Sequence, residues 1–474
     1  MITLRLSDIA RDLDAELRGS DGWIQGCDVD SRRLPAGGLF VALEGRNHDG
    51  HQFLSDAERR GAAAVMVEYP EPSRLPMLKV ASTRFGLGEV ARVWRRRFEL
   101  PVIAVTGSNG KTTVKELIAS ILREAGSTLA TAGNFNNDIG VPLTLFRLSH
   151  QHEYACIEMG ANRAGEIARL TAIAQPTVGV ITQCGAAHLE GFGSLEGVAR
   201  AKGELFCGLH PSAVAIINAD DHFASLLTEL AGSRRLITFG LTRDADLYAT
   251  WHPVMPGTII DMKTPLGHTE VRFPLGGRHN VLNALAAASA AVAVGIPLEI
   301  IRRGLEAARA VPARMERKRG LHGIEVIDDT YNANPASLGA ALEVLAGSPG
   351  RRWLVLGDMG ELGPEAPAFH QRAGELARRQ GVERLYAVGA LGRVAAEAFG
   401  PGGVYFENQA ALIEALREEV IPGLTLLVKG SRCMQMEAIV AGLSGSAVEQ
   451  TCTERSSWSV VSCVSAMEGL PERD

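Results

Sequence analysis

The run Thr106, Gly107, Ser108, Asn109, Gly110, Lys111, Thr112 and Thr113 sets a lysine and hydroxyl side chains directly after a glycine-containing turn. Small residues let backbone N–H groups converge on one spot, and a helix that starts there adds the positive end of its dipole. Such a spot suits a polyphosphate. Lys111 brings a mobile cation to the outer phosphates, and the Thr112 hydroxyl can ligate Mg2+. The common phosphate-loop pattern has a glycine six residues before its lysine, where this chain has Val105, so the turn is a shortened relative of that loop. ATP or GTP is the expected ligand.

A turn of this kind needs a strand before it and a helix after it. Val102–Val105 reads as the strand, and Val114, Leu117, Ile118, Ile121 and Leu122 make one apolar face of a helix. Further strands are expected at Ala155–Glu158, Val178–Thr182, Val214–Asn218 and Leu236–Gly240, with helices around Gly165–Ala174 and Leu195–Leu209. That alternation predicts a parallel sheet covered by helices on both faces, with the phosphate turn at the carboxyl end of its first strand. After Gly240 the pattern changes to a hairpin over Gly257–Pro274 and a long apolar helix in GRHNVLNALAAASAAVAVG.

A second α/β series begins near Arg314. Its strands are expected at Val326–Asp328, Trp353–Leu356, Leu385–Val388 and Leu426–Val428, and its helices at Ala336–Leu345, Phe369–Arg379 and Ala410–Glu419. GDMGELG at Gly357 lacks the spacing of a dinucleotide fingerprint. The first ~98 residues form a smaller α/β unit with a glycine-containing motif around Asp30–Phe53. The fold class is therefore α/β in three domains, expected at 1–98, 99–313 and 314–445, and the serine-rich tail 446–474 reads as a disordered or accessory extension.

The 474 residues carry a formal net charge of −6, which makes neither nucleic acid nor an anionic membrane an expected partner. Arg95, Arg96 and Arg97 read as the solvated end of a helix. Seven cysteines without a CxxC pair suit reduced thiols. MITLRLSDIARDL has no signal-peptide pattern, and Ala284–Gly295 is too short and alanine-rich to span a membrane. A cytoplasmic location is expected.

With the phosphate turn placed, the chain from about Asp28 to Glu437 resembles the Mur ligases, the ATP-dependent amide ligases that build the peptidoglycan stem peptide. The motifs that carry the resemblance are DSRRLPAGGLFVALEGRNHDGHQF, TGSNGKTT, NFNNDIGVPLTL, IEMGAN, AAHLE, ARAKGELF, GRHNVLNALAA, PARME and DDTYNANPAS, in that order. Within the family, DDTYNANPAS, GDMGELG and KGSRCMQME are most similar to the members that add D-alanyl-D-alanine to UDP-N-acetylmuramoyl-tripeptide. The DNPR motif of the diaminopimelate-adding members is absent. A sister ligase that adds a single amino acid, diaminopimelate or lysine, is the alternative, and a nucleotide-driven switch protein is a more distant one.

The resemblance implies a small UDP-sugar-binding domain, a central phosphate-loop ATPase domain and a C-terminal Rossmann-like ligase domain, acting with ATP and Mg2+ as a monomer. It implies that ATP phosphorylates the peptide carboxylate and that the amine of D-alanyl-D-alanine attacks the acyl phosphate. Lys111, Lys202, Arg314 and His188 are the implied catalytic residues. Thr112, Glu158, His188 and a carbamylated Lys202 are the implied metal ligands. On their chemistry alone, Glu158 reads equally as a surface acid and His188 as a satisfied histidine.

The implied nucleotide contacts are Thr106 to Thr113, Asn280, Arg314 and Asp329, with His279 able to stack near the adenine. Asn280 reads equally as an N-cap of its helix. Substrate contacts are expected from Ser31, Arg32, Asn134, Asn137, Tyr331, Asn332, Asn334, Lys429 and Arg432, the last two for the carboxylate of the dipeptide. Arg46, Asn47, His51, Asn136 and Asp138 are secondary candidates. A plain Asn-Pro turn accounts for the asparagines of DDTYNANP but not for its paired aspartates. No side chain stands out as the general base.

Overall fold

The computed structural model describes residues 2–45, 48–70, 72–254 and 257–444. Arg46, Asn47 and the expected tail 446–474 lie outside the described residues. The chain divides into two compact units. One comprises the chain up to Cys184 with Ser194–Leu275 and His279–Ala308, and the other comprises Gly185–Gly193, Gly276–Arg278 and the chain from Arg309.

The first unit contains two larger sheets. Toward the N-terminus, five strands run in the order Glu16–Arg18, Met77–Lys79, Ala64–Val67, Leu39–Val41 and Cys27–Asp28, and only the first is antiparallel to its neighbour. The second sheet has nine strands. Thr128–Ala130, Tyr154–Glu158, Val102–Thr106, Val178–Ile181, Val214–Asn218, Arg235–Gly240 and Leu247–Pro253 are parallel in that order. The expected hairpin, Thr258–Thr264 with Gly267–Phe273, then extends the same sheet with antiparallel strands.

The helix after the phosphate turn spans Lys111–Ala125 and buries Val114, Leu117, Ile118, Ile121 and Leu122, the face its spacing predicts. Each such side chain contributes roughly 1.5–3 kcal/mol of burial. The apolar helix Arg278–Ala293 is buried nearly all round, and its alanines pack into the same core.

The second unit carries a six-stranded sheet ordered Glu316–Arg319, Glu325–Asp329, Leu424–Lys429, Arg351–Gly357, Arg384–Val388 and Gly403–Phe406, parallel except for its first strand. Its central strands bury both faces. Val326, Trp353, Val355 and Leu426 enter one core, while Ile327, Leu354, Leu356 and Leu427 enter the other.

Within the two larger α/β series, four strands fall outside the sequence expectation: Thr128–Ala130, Leu247–Pro253, Glu316–Arg319 and Gly403–Phe406. Glu316–Arg319 reads ERKR. It is an edge strand in which charge keeps the free edge from pairing further, so no apolar period marks it. Among the described residues no helix is long and apolar enough to cross a membrane.

Candidate active site

The strand Val102–Thr106 ends at the turn, and Gly110, with φ 81°, starts the helix in a conformation that a side chain would strain. Gly107 has φ 147°, and a Cβ there would collide with Thr182 Oγ1. The turn is tied to the end of the neighbouring strand. Ser108 N donates to Gln183 O at 2.8 Å, and Thr182 Oγ1 donates to Asn109 O at 2.6 Å. Lys111 opens the helix and folds back, its Nζ donating to Gly107 O at 2.6 Å. Thr112 is buried in the first helical turn. The backbone is thus held in place, with Lys111 and the helix N-terminus facing the turn.

Glu158 ends the adjacent strand, in register with Val105. It is 1% exposed. Asn136 Nδ2 donates to its Oε1 at 2.8 Å, and its backbone N donates to Thr131 Oγ1 at 3.0 Å. Its Oε2 and the hydroxyl of Thr106 are buried with no hydrogen-bond partner among the described residues. A buried carboxylate oxygen and a buried hydroxyl without partners, beside a phosphate turn, fit oxygen ligation of a divalent cation. Among the described residues no three His, Cys, Asp or Glu side chains converge as a metal cluster. The expected set draws on a hydroxyl and a lysine instead.

Lys115 was not anticipated. It is fully buried one helical turn after Lys111, and its ammonium pairs with Glu116 and donates to Thr131 O at 2.9 Å. Thr131 therefore links the phosphate-turn helix to Glu158. A lysine on the buried side of a helix is the one available signal, and it is easily read as solvated.

Lys202 lies on the helix Leu195–Cys207 and is 1% exposed. Burial, and then the nearby Lys111 charge, bring its ammonium down to about 7, and Nζ donates to Ala161 O at 3.3 Å. A lysine in this state is neutral often enough near pH 7 to react with CO2, as the implied carbamate requires.

His188 sits with the second unit, separated in the chain's compact division from Glu158 and Lys202. Its φ of 53° is left-handed, and its Nδ1 lies 2.5 Å from Glu361 Oε2, close enough for an ion pair but not aligned as a hydrogen bond. The N-cap alternative for Asn280 does not hold, because the helix starts at Arg278 and Asn280 lies inside its first turn. Asn280 Oδ1 accepts from Asn283 Nδ2 at 3.1 Å, and Asn283 packs against Gly110, so a second asparagine one turn on reaches the phosphate turn. His279 is half-buried beside it.

In the second unit, Arg314 is flanked by Ala313 and Met315, both in left-handed backbone with φ 57° and 54°. Its guanidinium stacks 3.9 Å over Tyr331, while that of Arg432 is 6.0 Å from the same ring and pairs with Glu437 at 3.0 Å. Asp329 accepts from Met315 N at 3.2 Å and pairs with Lys429.

This placement corrects the expectation for Lys429. It is 2% exposed and spent on Asp329 and on Asn332 O, at 2.9 Å, so it is an internal cation and not a presented carboxylate ligand. Asn334 caps the helix Pro335–Ala346 in a capping box with Ser337, and Asn332 Oδ1 accepts from Ala333 N, so both asparagine side chains serve the turn.

At the N-terminal sheet, Ser31 is buried and Arg32 makes a two-pronged pair with Asp30. His51 is not available to grip a ligand. Nδ1 lies 2.7 Å from Asp49, Nε2 accepts from Glu68 N at 3.1 Å, and the ring stacks 4.0 Å from Tyr69. The Tyr69 hydroxyl and the His51 N–H bring Asp49 down to about 2. Asn137 Oδ1 accepts from Ile139 N and Gly140 N at the start of the next helix, while Asn134 is half-buried.

Comparison with known proteins places this geometry. Residues 24–95 match the model described as the Mur ligase family catalytic domain, 105–291 the Mur ligase middle domain, and 313–432 the Mur ligase glutamate ligase domain. The UDP-N-acetylmuramoyl-tripeptide–D-alanyl-D-alanine ligase of Escherichia coli (strain K12) is 44% identical over 450 residues, covering 94% of this chain and 99% of that protein. The chain belongs to the Mur ligase family. Among solved structures, MurF from Acinetobacter baumannii is similar at a TM-score of 0.87 with 36% identity, covering 92% of this chain and 97% of that one. The MurF ligase of Thermotoga maritima in complex with ADP has a TM-score of 0.80 and 28% identity, covering 88% and 96%. The three larger sheets of this Mur ligase thus correspond to a three-domain architecture of small, central and C-terminal α/β domains.

Proposed function

We propose that this Mur ligase joins D-alanyl-D-alanine to UDP-N-acetylmuramoyl-tripeptide, with ATP hydrolysed to ADP and phosphate, in peptidoglycan precursor synthesis. The observation that carries the reading is near-full-length similarity to a ligase named for that reaction, 44% identical. The phosphate turn beside a buried, half-satisfied Glu158 supports it independently. The domains are assigned as 1–98 for the UDP-sugar, 99–313 for ATP and 314–445 for ligation, in a cytoplasmic monomer.

A carboxylate is a poor electrophile because its leaving group is poor. An oxygen of the tripeptide carboxylate attacks the γ-phosphorus of ATP, and the bond to ADP breaks. The dipeptide amine then attacks the acyl carbon, loses a proton and displaces phosphate. Lys111 and the backbone N–H groups of Gly107 to Thr113 hold the phosphates, and Arg314, with its planar permanent charge, neutralises the γ-phosphate. Asn280 and Asp329 are assigned to the nucleotide, and Ser31, Arg32 and Asn134 to the UDP-sugar peptide. Tyr331 and Arg432 offer a ring and a cation to the dipeptide.

Thr112, Glu158, His188 and the Lys202 carbamate would hold Mg2+, which when bound supplies positive charge to the phosphate oxygens. The carbamate forms as the neutral Lys202 amine adds to CO2 with release of a proton.

The test is phosphate release from ATP with Mg2+ and UDP-N-acetylmuramoyl-tripeptide, with and without D-alanyl-D-alanine. Release that requires the dipeptide, with a pentapeptide product by mass, is expected. Release that requires only a single amino acid would move the chain to a sister ligase, and release needing neither peptide nor amine would overturn ligation.

A further inference from the structure

Lys115 is buried among Val114, Leu117 and Ile118 on the helix Lys111–Ala125, and its side chain is 0% exposed. Its ammonium donates to Thr131 O at 2.9 Å and pairs with Glu116, whose side chain is 40% exposed and therefore shared with water. Taking an ammonium out of water costs more than one carbonyl and a water-screened carboxylate offset. An apolar side chain of similar length would fill the place at lower cost. Stability therefore does not account for a lysine here, and what its ammonium holds does.

It holds Thr131, the buried first residue beyond the strand Thr128–Ala130. Three bonds meet there. The Thr131 carbonyl accepts from Lys115, its N donates to Cys156 O at 3.0 Å, and its Oγ1 accepts from Glu158 N at 3.0 Å. The loop that Thr131 opens reaches Glu158 a second time. Asn136 Nδ2 donates to Glu158 Oε1 at 2.8 Å, while Gly160 N donates to Asn136 O at 2.8 Å. One loop thus grips Glu158 at its backbone and at one carboxylate oxygen, and Lys115 fixes the start of that loop.

The other carboxylate oxygen, Oε2, is buried with no partner among the described residues. A carboxylate held by hydrogen bonds at one oxygen and at its backbone has lost its rotational freedom before an ion arrives. Such outer bonds raise the affinity of a ligand for its metal.

We infer that Lys115 is a positioning residue for Glu158: by fixing Thr131 it keeps Oε2 available to the divalent cation that accompanies the nucleotide. Lys111 and Lys115 lie one helical turn apart and do different work. Lys111 serves the phosphates, whereas Lys115 touches neither nucleotide nor cation and acts through Thr131. The inference rests on the reading of Glu158 as a Mg2+ ligand.

The test is calorimetric titration of the full chain with ADP, once with Mn2+ and once with EDTA, beside a melting curve. The proteins are the wild type, Lys115→Met, Thr131→Val and the double variant. The wild type is expected to bind ADP about 10-fold or more tighter with Mn2+. Lys115→Met and Thr131→Val are each expected to lose about 10-fold with Mn2+ while staying within about 2-fold in EDTA. A merely structural role would instead lower the melting temperature and weaken both titrations alike. The two residues act through one link, so the double variant should lose no more than the worse single variant. Lys115→Gln, too short to reach Thr131 O, takes the place of Lys115→Met if that variant does not fold. An undiminished Mn2+ effect in the Lys115 variant, equal losses with and without metal, or additive losses in the double variant would overturn the positioning role and leave the ligase reading intact. Absence of any Mn2+ effect in the wild type would overturn the reading of Glu158, and this inference with it.

Discussion

The phosphate turn and the Arg314 loop meet the same requirement, presentation of a fixed cation, by opposite routes. The turn is built from neighbours in sequence. Gly107 and Gly110 supply the backbone freedom, and hydrogen bonds to Thr182 and Gln183 hold the result. The Arg314 loop is assembled from distant segments. Ala313 and Met315 are held left-handed without glycine, Tyr331 N donates to Ala313 O at 3.1 Å, and Asp329 is anchored by Lys429 from the neighbouring strand Leu424–Lys429. A locally coded site tolerates changes elsewhere in its domain. A site made of long-range ion pairs and strained backbone depends on the whole domain's packing.

Lys111→Ala should be the largest break in the first region. In the proposed reaction it removes the cation that meets the developing phosphate charge, without removing buried packing, so kcat/KM for product is expected to fall about 10^3-fold or more while the circular dichroism and melting curve stay unchanged. Turnover near the wild-type rate would sink the assignment of this turn.

Lys429→Ala attacks the other region through stability. It leaves Asp329 buried beside an empty space, an expected loss of about 3–5 kcal/mol in urea unfolding of the second unit. A loss below about 1 kcal/mol would mean that the pair does not anchor the loop.

Lys202 gives a pH-dependent contrast. Its folded value of about 7 lies below the ordinary 10.5, so in the window between them the unfolded chain binds more protons and stability rises with pH. Below about pH 7 both states are protonated, and the folded protein carries the full penalty of a buried ammonium. Lys202→Met is expected to flatten that rise. Lys202→Ala should lose activity about 10^2-fold, with partial rescue by bicarbonate or short carboxylates. A stability profile unchanged by Lys202→Met would exclude the depressed lysine.

The smallest expected effect is at Ala313→Gly, which relieves left-handed strain by about 1 kcal/mol yet frees Arg314. Stability should rise slightly and kcat fall a few-fold. Equal kcat would show that the strained backbone does not position the arginine.

The sequence alone was sufficient for what is coded within one or two turns of chain. TGSNGKTT, its flanking strand and the apolar face from Val114 to Leu122 were all legible, because glycine placement and helical period are local properties. Most of the alternating strands of both α/β series were legible for the same reason, whereas Thr128–Ala130, Leu247–Pro253 and Gly403–Phe406 were not, nor was ERKR at Glu316–Arg319, which carries no apolar period.

Tertiary structure decided which polar residues are presented and which are consumed. Lys429 and His51 looked like ligands and turned out to be internal partners of Asp329 and Asp49. Lys115 belongs to no motif and is buried against Thr131. Arg84, Asp138 and Arg169 carry no shared motif and meet only when two helices and a loop pack together. Burial and pairing depend on neighbours far away in sequence, and the free energy of a charged group depends on those neighbours more than on its own identity.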